Sequence, residues 1–204
     1  MEDHELLAIA QQAARIEAAS LCDVANQLTD TTVAIARRII ALAGKVIITG
    51  AGTSSFVARR MAHLLSVSGS PALFMHSMDA LHGTMGALQA TDLLIMFSKS
   101  GESDELVRLC QAAQHKGVTV VAVTENTHSS LGQVADIVVT LHTADQADPG
   151  NVLGMGSTLT ASLWGDCVAR AVMAERGWNI CDSIDMHPAG GVGKRADELR
   201  KELS

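Results

Sequence analysis

The sequence predicts a three-layer α/β fold, in which a five-stranded parallel sheet lies between helices and further helices precede the first strand. From residue 45 onward, short β-branched runs alternate with helix-length stretches. Most of these runs are continuously apolar, which is typical of parallel strands covered on both faces. Glycine follows three of the helical stretches, where a left-handed C-terminal residue is favoured. We expect one domain, with a helical segment (1–43), a sheet core (44–180) and a C-terminal tail (181–204).

Residues 4–43 are predicted to be helical, since they contain the apolar segments LLAIA and VAIARRIIALA. Weak breaks are expected near Ser20–Asp23 and at Asp30–Thr31. One face of such a segment must be buried, so it either covers the sheet or pairs with another subunit.

Five strands and three helices are predicted in the rest of the chain. The strands are 45–49, 72–76, 92–97, 118–124 and 136–141. The helices are 54–68, 103–116 and 157–176, followed by Gly69, Gly117 and Gly177. Segment 77–90 is predicted to be a loop with a short helix.

Composition excludes several classes of protein. The chain of 204 residues has a formal net charge of −7 and is 2% aromatic, which argues against a nucleic-acid binder. The four cysteines lie far apart with no CxxC pair, which argues against zinc and redox motifs; they are Cys22, Cys110, Cys167 and Cys181. The acidic start MEDHELL and the lack of an 18-residue apolar run predict a cytoplasmic protein with reduced thiols that does not bind a membrane.

The segment GAGTSS (50–55) follows the first strand directly and opens a helix. Glycines there let the backbone approach a ligand, and a helix N-terminus offers N–H groups to an anion. The dinucleotide-binding fingerprint requires a third glycine, but Ser55 stands there, and the second strand ends at His76 instead of an acidic residue. We therefore interpret Gly52, Thr53, Ser54 and Ser55 as candidate phosphate-binding residues, with a simple tight turn as the alternative.

The segment SKSGES (98–103) follows the third strand and opens another helix. Two such turns after parallel strands must lie at the carboxyl edge of the sheet, where open α/β sheets bind ligands. Together they predict a pocket for a small phosphorylated molecule, held by Ser98, Ser100, Ser103 and backbone amides. Ser103 is also a plausible N-cap residue. Neither turn contains the G-K-[ST] of a Walker loop.

Two later segments supply further candidates. PGNVLGMGST (149–158) brings Ser157 and Thr158 to the same edge, where they could also cap the next helix. MHPAGGVGKR (186–195) places His187 on a loop rich in glycine, whereas His63 and His115 lie within helical patterns. No two histidines have metal-ligand spacing with a carboxylate, so no metal is expected.

The long segment GAGTSSFVARRMAHLLSVSGSPALFMHSMDALHG, together with SKSGES and HPAGGVGKR, resembles the sugar isomerase (SIS) domain, and most of all the arabinose 5-phosphate isomerases. The resemblance covers about residues 40–195. It implies a Rossmann-like or flavodoxin-like sheet, no metal or cofactor, and a homotetramer with active sites at subunit contacts. Many of these isomerases carry a C-terminal pair of CBS domains, which we do not expect here because the sequence ends at Ser204.

The resemblance also implies roles for individual residues. The family's catalytic glutamate falls on Glu102, and two of its histidines fall on His82 and His187. The family's serine after the first glycine loop falls on Ser54, and its later Ser-Thr pair falls on Ser157 and Thr158.

Three positions depart from the family pattern. A lysine of the family is Thr53 here, a glutamate is Gln146 and an aspartate is Thr84. Lys99 stands where the family usually has asparagine, and it could restore the lost positive charge by contacting phosphate or an oxyanion. A solvated surface lysine is the alternative.

The leading interpretation is an aldose–ketose isomerase that converts D-ribulose 5-phosphate to D-arabinose 5-phosphate through an enediol. Glu102 would be the carbon base and His187, from a neighbouring subunit, would assist ring opening or donate to the carbonyl oxygen, with His82 as an accessory group. A capping carboxylate is the alternative role for Glu102. The alternative functions are a SIS protein that binds or senses a sugar phosphate without turnover, and a phosphohexuloisomerase-like enzyme.

Overall fold

A computed structural model describes residues 1–203, and its centre is a five-stranded sheet with the strand order β2-β1-β3-β4-β5. Every neighbouring pair is parallel, which confirms the predicted sheet. The strands are β1 (Val46–Gly50), β2 (Ala72–Phe74), β3 (Leu93–Phe97), β4 (Thr119–Thr124) and β5 (Ile137–Thr140). The predicted and observed strand ends agree to within two residues.

Helices cover both faces of the sheet, and this arrangement confirms the three layers. The first helices are α1 (Asp3–Gln27), α2 (Asp30–Ala41), α3 (Ser54–Val67), α4 (Ser77–Leu81) and α5 (Asp104–His115). The later helices are α6 (Ser130–Val134), α7 (Gly156–Arg176), α8 (Ile180–Asp185), α9 (Gly190–Lys194) and α10 (Ala196–Leu203). Gly69, Gly117 and Gly177 have positive φ at helix ends, as the sequence predicts.

Side chains of successive strand residues point to opposite faces, so the continuously apolar strands contribute side chains to two separate cores. On one face Ile48, Ile95 and Val121 pack with residues of α2, α3 and α7. On the other face Ile47 and Leu94 pack with residues of α5 and α6. The apolar runs therefore have the double burial that parallel strands need.

The predicted helix break near Ser20–Asp23 is wrong, because α1 continues through it. Ser20 is buried, and its Oγ accepts a hydrogen bond from Ala144 N at 2.9 Å, so this polar residue contacts a loop without ending the helix. The second break is confirmed within two residues, since Leu28 and Thr29 separate α1 from α2. Helix α2 buries Ile35 and Ile39 against the sheet, which is the covering role expected for this segment.

The C-terminal tail packs on the end of α3 that is remote from the carboxyl edge. Trp178 lies directly over Gly69, and Ser183 Oγ donates to Val67 O at 2.9 Å. The positioning of the tail therefore depends on α3 and not on the turns that follow the strands.

No helix among residues 1–203 has both the length and the apolarity needed to cross a bilayer.

An ion pair between Lys45 and Asp92 holds the amino edge of the sheet together. Lys45 Nζ lies 2.7 Å from Asp92 Oδ2, and Lys45 N and Gln89 N also donate to this carboxylate. Burial alone would raise the pKa of Asp92, but these hydrogen bonds outweigh it and lower the pKa.

Asp92→Asn should therefore reduce the free energy of unfolding by about 2–3 kcal/mol at pH 7, the cost of losing charge-assisted hydrogen bonds. Since folding lowers the pKa of Asp92, its stabilisation is complete above the ordinary value of 3.8 and is lost as the pH falls through the folded value. Urea unfolding should thus show a difference in the free energy of unfolding between wild type and variant, and this difference should become smaller below pH 3.8. The matched control is Asp136→Asn, an exposed aspartate that accepts from Val120 N, and it should cost less. An equal cost for both would contradict the prediction.

Candidate active site

The turns that follow β1 and β3 lie side by side at the carboxyl edge of the sheet. These strands are adjacent and parallel, and Gly50 at the end of β1 pairs with Phe97 at the end of β3. The strand order also reverses direction between β1 and β3, which is where open α/β sheets bind ligands. The structure thus brings together the two Gly/Ser turns that the sequence analysis selected.

The first turn leads from β1 into α3 and is open to solvent at Gly52. Gly52 has a φ of +54° and a Cβ there would meet no atom within 4 Å, so the turn is open on that side. Ser54 and Ser55 are half-buried and Thr53 is exposed. Ser54 N donates to Ala51 O at 3.1 Å, which closes the turn on itself.

The second turn folds back tightly at Gly101, whose φ is +72°. Ser98 Oγ accepts a hydrogen bond from Gly101 N at 3.2 Å, and Ser100 Oγ accepts one from Glu102 N at 3.3 Å. Ser103 stands at the N-cap position of α5, but its side chain forms no capping hydrogen bond. Its hydroxyl is therefore not used in the way that an N-cap residue would use it.

Two cavities adjoin the serine turn. A small cavity of about 30 Å³ lies between α3, α7 and the strand ends, and its lining includes Ser54, Ser98, Ser157 and Thr158. A larger cavity of about 570 Å³ lies between the turn and the loop after β5. Lys99 lines both cavities, so it forms part of the wall between them.

Lys99 is engaged in an ion pair and is not the solvated lysine that the sequence analysis held as an alternative. Its Nζ lies 2.7 Å from Asp148 Oδ2 and 2.5 Å from Asn151 Oδ1. Glu125 Oε2 is 3.9 Å from the same ammonium. Burial disfavours the charged form of Asp148, but hydrogen bonds from Lys99 and Ser157 outweigh it and lower the pKa of Asp148.

Asp148 also takes over the capping role that Ser157 and Thr158 were expected to have at α7. Its Oδ1 accepts from Met155 N at 2.9 Å and from Ser157 N at 3.0 Å. Thr158 Oγ1 instead bonds back to Gly154 O and Met155 O. The alternative role of Ser157 and Thr158 as helix caps is wrong, because the Asp148 carboxylate of the preceding loop accepts from these amides instead.

Glu102 lies on the outer side of the serine turn. Its carboxylate accepts from Ser130 N at 3.2 Å and from Ser130 Oγ at 2.6 Å, at the start of α6. Within residues 1–203 it lines neither of the two cavities. The glutamate therefore adjoins the turn, but its carboxylate is bound away from both cavities.

The two candidate histidines are not brought to these cavities within one chain. His82 is exposed at the C-terminal end of α4. His187 is half-buried, its Nδ1 lies 2.6 Å from Ser183 O, and its ring meets that of His63 edge to face at 6.3 Å. The expected loop position of His187 is confirmed, since it lies between α8 and α9, but the expectation that it is not packed is wrong, because its ring contacts His63 of α3. Its predicted role in a neighbouring subunit's site stays a prediction.

Among residues 1–203, no group of three or more His, Cys, Asp or Glu side chains is arranged to hold a metal ion. The three positions that depart from the family pattern are all exposed, and they are Thr53, Thr84 and Gln146.

The structure adds four residues to the site that the sequence analysis did not select. Three surround the Lys99 ammonium, and the fourth lines the small cavity; they are Glu125, Asp148, Asn151 and Thr160. Glu125 directly follows β4, so its place at the carboxyl edge was a signal that could have been used. Asp148 lies in an irregular loop, and no local pattern indicates that it folds back onto Lys99.

Comparison with known proteins identifies the class to which this fold and site belong. A model of the SIS domain matches residues 39–164, and the chain belongs to the SIS domain family.

Within that family, the chain is similar to named isomerases. It is 34% identical over 190 residues to arabinose 5-phosphate isomerase GutQ of Salmonella typhi, which covers 93% of this chain and 59% of that protein. It is 37% identical over 152 residues to an arabinose 5-phosphate isomerase KpsF of Escherichia coli, covering 74% of this chain and 48% of the relative. This chain therefore spans about three-fifths or less of the length of these curated relatives.

Solved structures show the same fold. A crystal structure from Listeria monocytogenes superposes with a TM-score of 0.88 at 30% identity, covering 93% of this chain and 100% of that chain. A protein of Escherichia coli CFT073, solved in complex with arabinose 5-phosphate, has a TM-score of 0.87 at 25% identity, covering 92% of this chain and 100% of that one.

Gly101→Ala should collapse the serine turn, because a Cβ there would overlap Ser129 Oγ and the left-handed φ would add backbone strain. We expect a loss of about 2–4 kcal/mol in the free energy of unfolding. Gly52→Ala is the matched control: it has a similar φ but open space, so only the backbone cost of about 1 kcal/mol applies. Chemical denaturation measures both values. The explanation by close contact fails if the two variants lose the same stability.

Proposed function

We propose that this protein is an aldose–ketose isomerase that acts on a sugar phosphate and interconverts D-ribulose 5-phosphate and D-arabinose 5-phosphate. The observation that carries the proposal is the pair of Gly/Ser turns that meet at the carboxyl ends of β1 and β3, beside two cavities. The similarity to arabinose 5-phosphate isomerases over 93% of the chain supports the choice of substrate.

In this proposal the phosphate is bound by hydroxyl and backbone N–H groups. Gly52, Thr53, Ser54 and Ser55 lie at the N-terminus of α3, and Ser98, Ser100 and Ser103 lie in the turn before α5. A helix N-terminus favours an anion through its unpaired N–H groups and its dipole. Such a site adds no charge to the protein, so it is compatible with a net charge of −7.

The chemistry moves a proton between neighbouring carbons through an enediol, and it needs a base and donors for the developing oxyanion. We propose Glu102 as the base, which must leave Ser130 to reach the substrate. His82 is an accessory group, and His187 is supplied by a neighbouring subunit. No metal or cofactor is required for this reaction.

A protein that binds a sugar phosphate without turnover is the second candidate. The position of Glu102 favours it, since both carboxylate oxygens are bound to Ser130 outside the cavities. A phosphohexuloisomerase-like enzyme would differ from the leading proposal in substrate only.

NMR detection of aldose and ketose signals separates these functions. The wild type should interconvert D-ribulose 5-phosphate and D-arabinose 5-phosphate, and Glu102→Gln should lower kcat about 100-fold or more, as loss of a general base does. The control is Asp104→Asn, an exposed carboxylate two residues further on in the first turn of α5, which should keep wild-type activity. Equal activity of the two variants would exclude Glu102 as the base. Binding without interconversion in the wild type would favour the second candidate.

We also propose a cytoplasmic homo-oligomer, and a tetramer in particular. The four cysteines are free thiols, which agrees with a reducing compartment. Residues 1–15 are exposed throughout, although Leu6 and Ile9 lie on the same face of α1 as the buried Ser20 and Val24. Helix α1 contacts α7 and its buried residues lie in its C-terminal half, so its exposed N-terminal half leaves apolar side chains for a second copy.

Multi-angle light scattering should give about four times the protomer mass of 21.4 kDa. The double variant Leu6→Asp/Ile9→Asp places charge on the exposed N-terminal half of this face of α1. It should lower the measured mass of the assembly. Gln11→Asp, on the opposite side of the same helix, should leave it unchanged. If the double variant remains a tetramer, this face of α1 is not the contact between subunits.

A further inference from the structure

We propose that Lys99, together with Asp148 and Glu125, binds the uncharged hydroxyl- and carbonyl-bearing end of the substrate and not its phosphate. This inference rests on the proposed function, because it assigns the second half of a sugar phosphate to a second group of residues. It differs from the expectation that Lys99 restores positive charge by contacting phosphate or an oxyanion.

The charges around Lys99 make it a poor phosphate clamp. Its ammonium lies 2.7 Å from the Asp148 carboxylate and 3.9 Å from that of Glu125, so the cluster of one ammonium and two carboxylates has a formal charge of −1. Asn151 Oδ1 accepts a second hydrogen bond from the same nitrogen. A phosphate ester carries a charge of about −1.5 to −2 at neutral pH, and this cluster would repel it.

The same cluster is well suited to hydroxyl and carbonyl groups. An ammonium donates hydrogen bonds, carboxylates accept them, and the Asn151 amide does both. Lys99 and Asp148 both line the cavity of about 570 Å³, which provides room for a short polyol chain. Because Lys99 lies between Ser98 and Ser100, a small sugar phosphate can reach the serine turn and this cluster at once.

Thr160 provides an independent observation that points to a ligand. Thr160 lines the small cavity, on which Lys99 also borders, and the residue is 1% exposed. Its side-chain oxygen has no hydrogen-bond partner among residues 1–203. Buried hydroxyls are ordinarily satisfied, so a ligand hydroxyl or a water molecule is the missing partner.

The loop that carries Asp148 is held in an unfavourable conformation. Gln146 and Asn151 have φ values of +68° and +56°, and they are the non-glycine residues of positive φ within residues 1–203. They flank Asp148 on both sides, and left-handed backbone at non-glycine residues is retained mainly where function requires it. The strained loop thus delivers both Asp148 and Asn151 to the Lys99 ammonium.

A second ion pair in this protein offers a matched control. Lys45 and Asp92 are 2.7 Å apart, and the Lys45 side chain is 26% exposed, as is that of Lys99. That pair lies at the opposite edge of the sheet, so its removal tests the loss of an ion pair without any loss of substrate contact.

The experiment compares the Kd of inorganic phosphate with that of D-arabinose 5-phosphate by calorimetry. Lys99→Gln should keep the phosphate Kd within about two-fold and weaken the sugar phosphate by about ten-fold or more, the effect of losing a charge-assisted hydrogen bond. Lys45→Gln should change neither Kd. Ser100→Ala, in the serine turn, should weaken both.

Two results would overturn the proposal. Equal weakening of both ligands by Lys99→Gln would make Lys99 a phosphate ligand, and no change in either would make the cluster purely structural. A wild type that binds neither ligand would instead refute the proposed function on which the inference rests.

Thr160→Val is a second variant, in case Lys99→Gln does not fold. It replaces an unpaired buried hydroxyl by a methyl group of similar shape, so the unliganded protein should lose no stability. Because the proposed phosphate-binding residues Ser54 and Ser98 line the same cavity as Thr160, it should weaken D-arabinose 5-phosphate by a larger factor than inorganic phosphate. An unchanged Kd for D-arabinose 5-phosphate would overturn the part of the proposal that depends on this cavity.

Discussion

The parallel pairing of β1 with β3 is the constraint on which the site depends. The two strands are adjacent and in register from Val46–Leu93 to Gly50–Phe97, so both end at the same level. Each is followed by a turn of glycine and serine that opens a helix. Because parallel strands require crossover connections, helices must cover both faces, and the strands can be apolar on both sides. The architecture and the meeting of the turns thus have the same physical cause.

The Asp148 carboxylate is the second element that organises the carboxyl edge. It accepts from Lys99 in the serine turn and from the first amides of α7, so one buried side chain joins the turn after β3 to the helix after β5. Gly156 allows this closure, because a Cβ there would overlap Ala147 in the same loop. Burial of a carboxylate is tolerated here since each hydrogen bond comes from a group that favours its charged form.

The acidic composition is consistent with an anionic ligand, because an anion can be bound by groups that carry no positive charge. Hydroxyl groups, backbone amides and helix N-termini can hold a phosphate without contributing to net charge. Lys99, the lysine of the serine turn, is already compensated by carboxylates. Two histidines of the proposed chemistry lie away from the cavities in one chain, and the proposal therefore takes His187 from a neighbouring subunit.

The amino-acid sequence by itself determined the α/β class, the parallel sheet, most element boundaries and the two Gly/Ser turns, because these depend on local periodicity and on the conformational freedom of glycine. It misplaced a helix break at Ser20–Asp23, since the burial of Ser20 against residue 144 is a contact between distant parts of the chain. It placed the start of α7 within one residue but could not identify the side chain that caps it. Only the tertiary structure decided that Asp148 reaches the first amides of α7, that Lys99 is neutralised, and that His187 packs on α3. Each of these is a contact of a side chain with a residue that is not its neighbour in the sequence, and no local sequence pattern indicates such a contact.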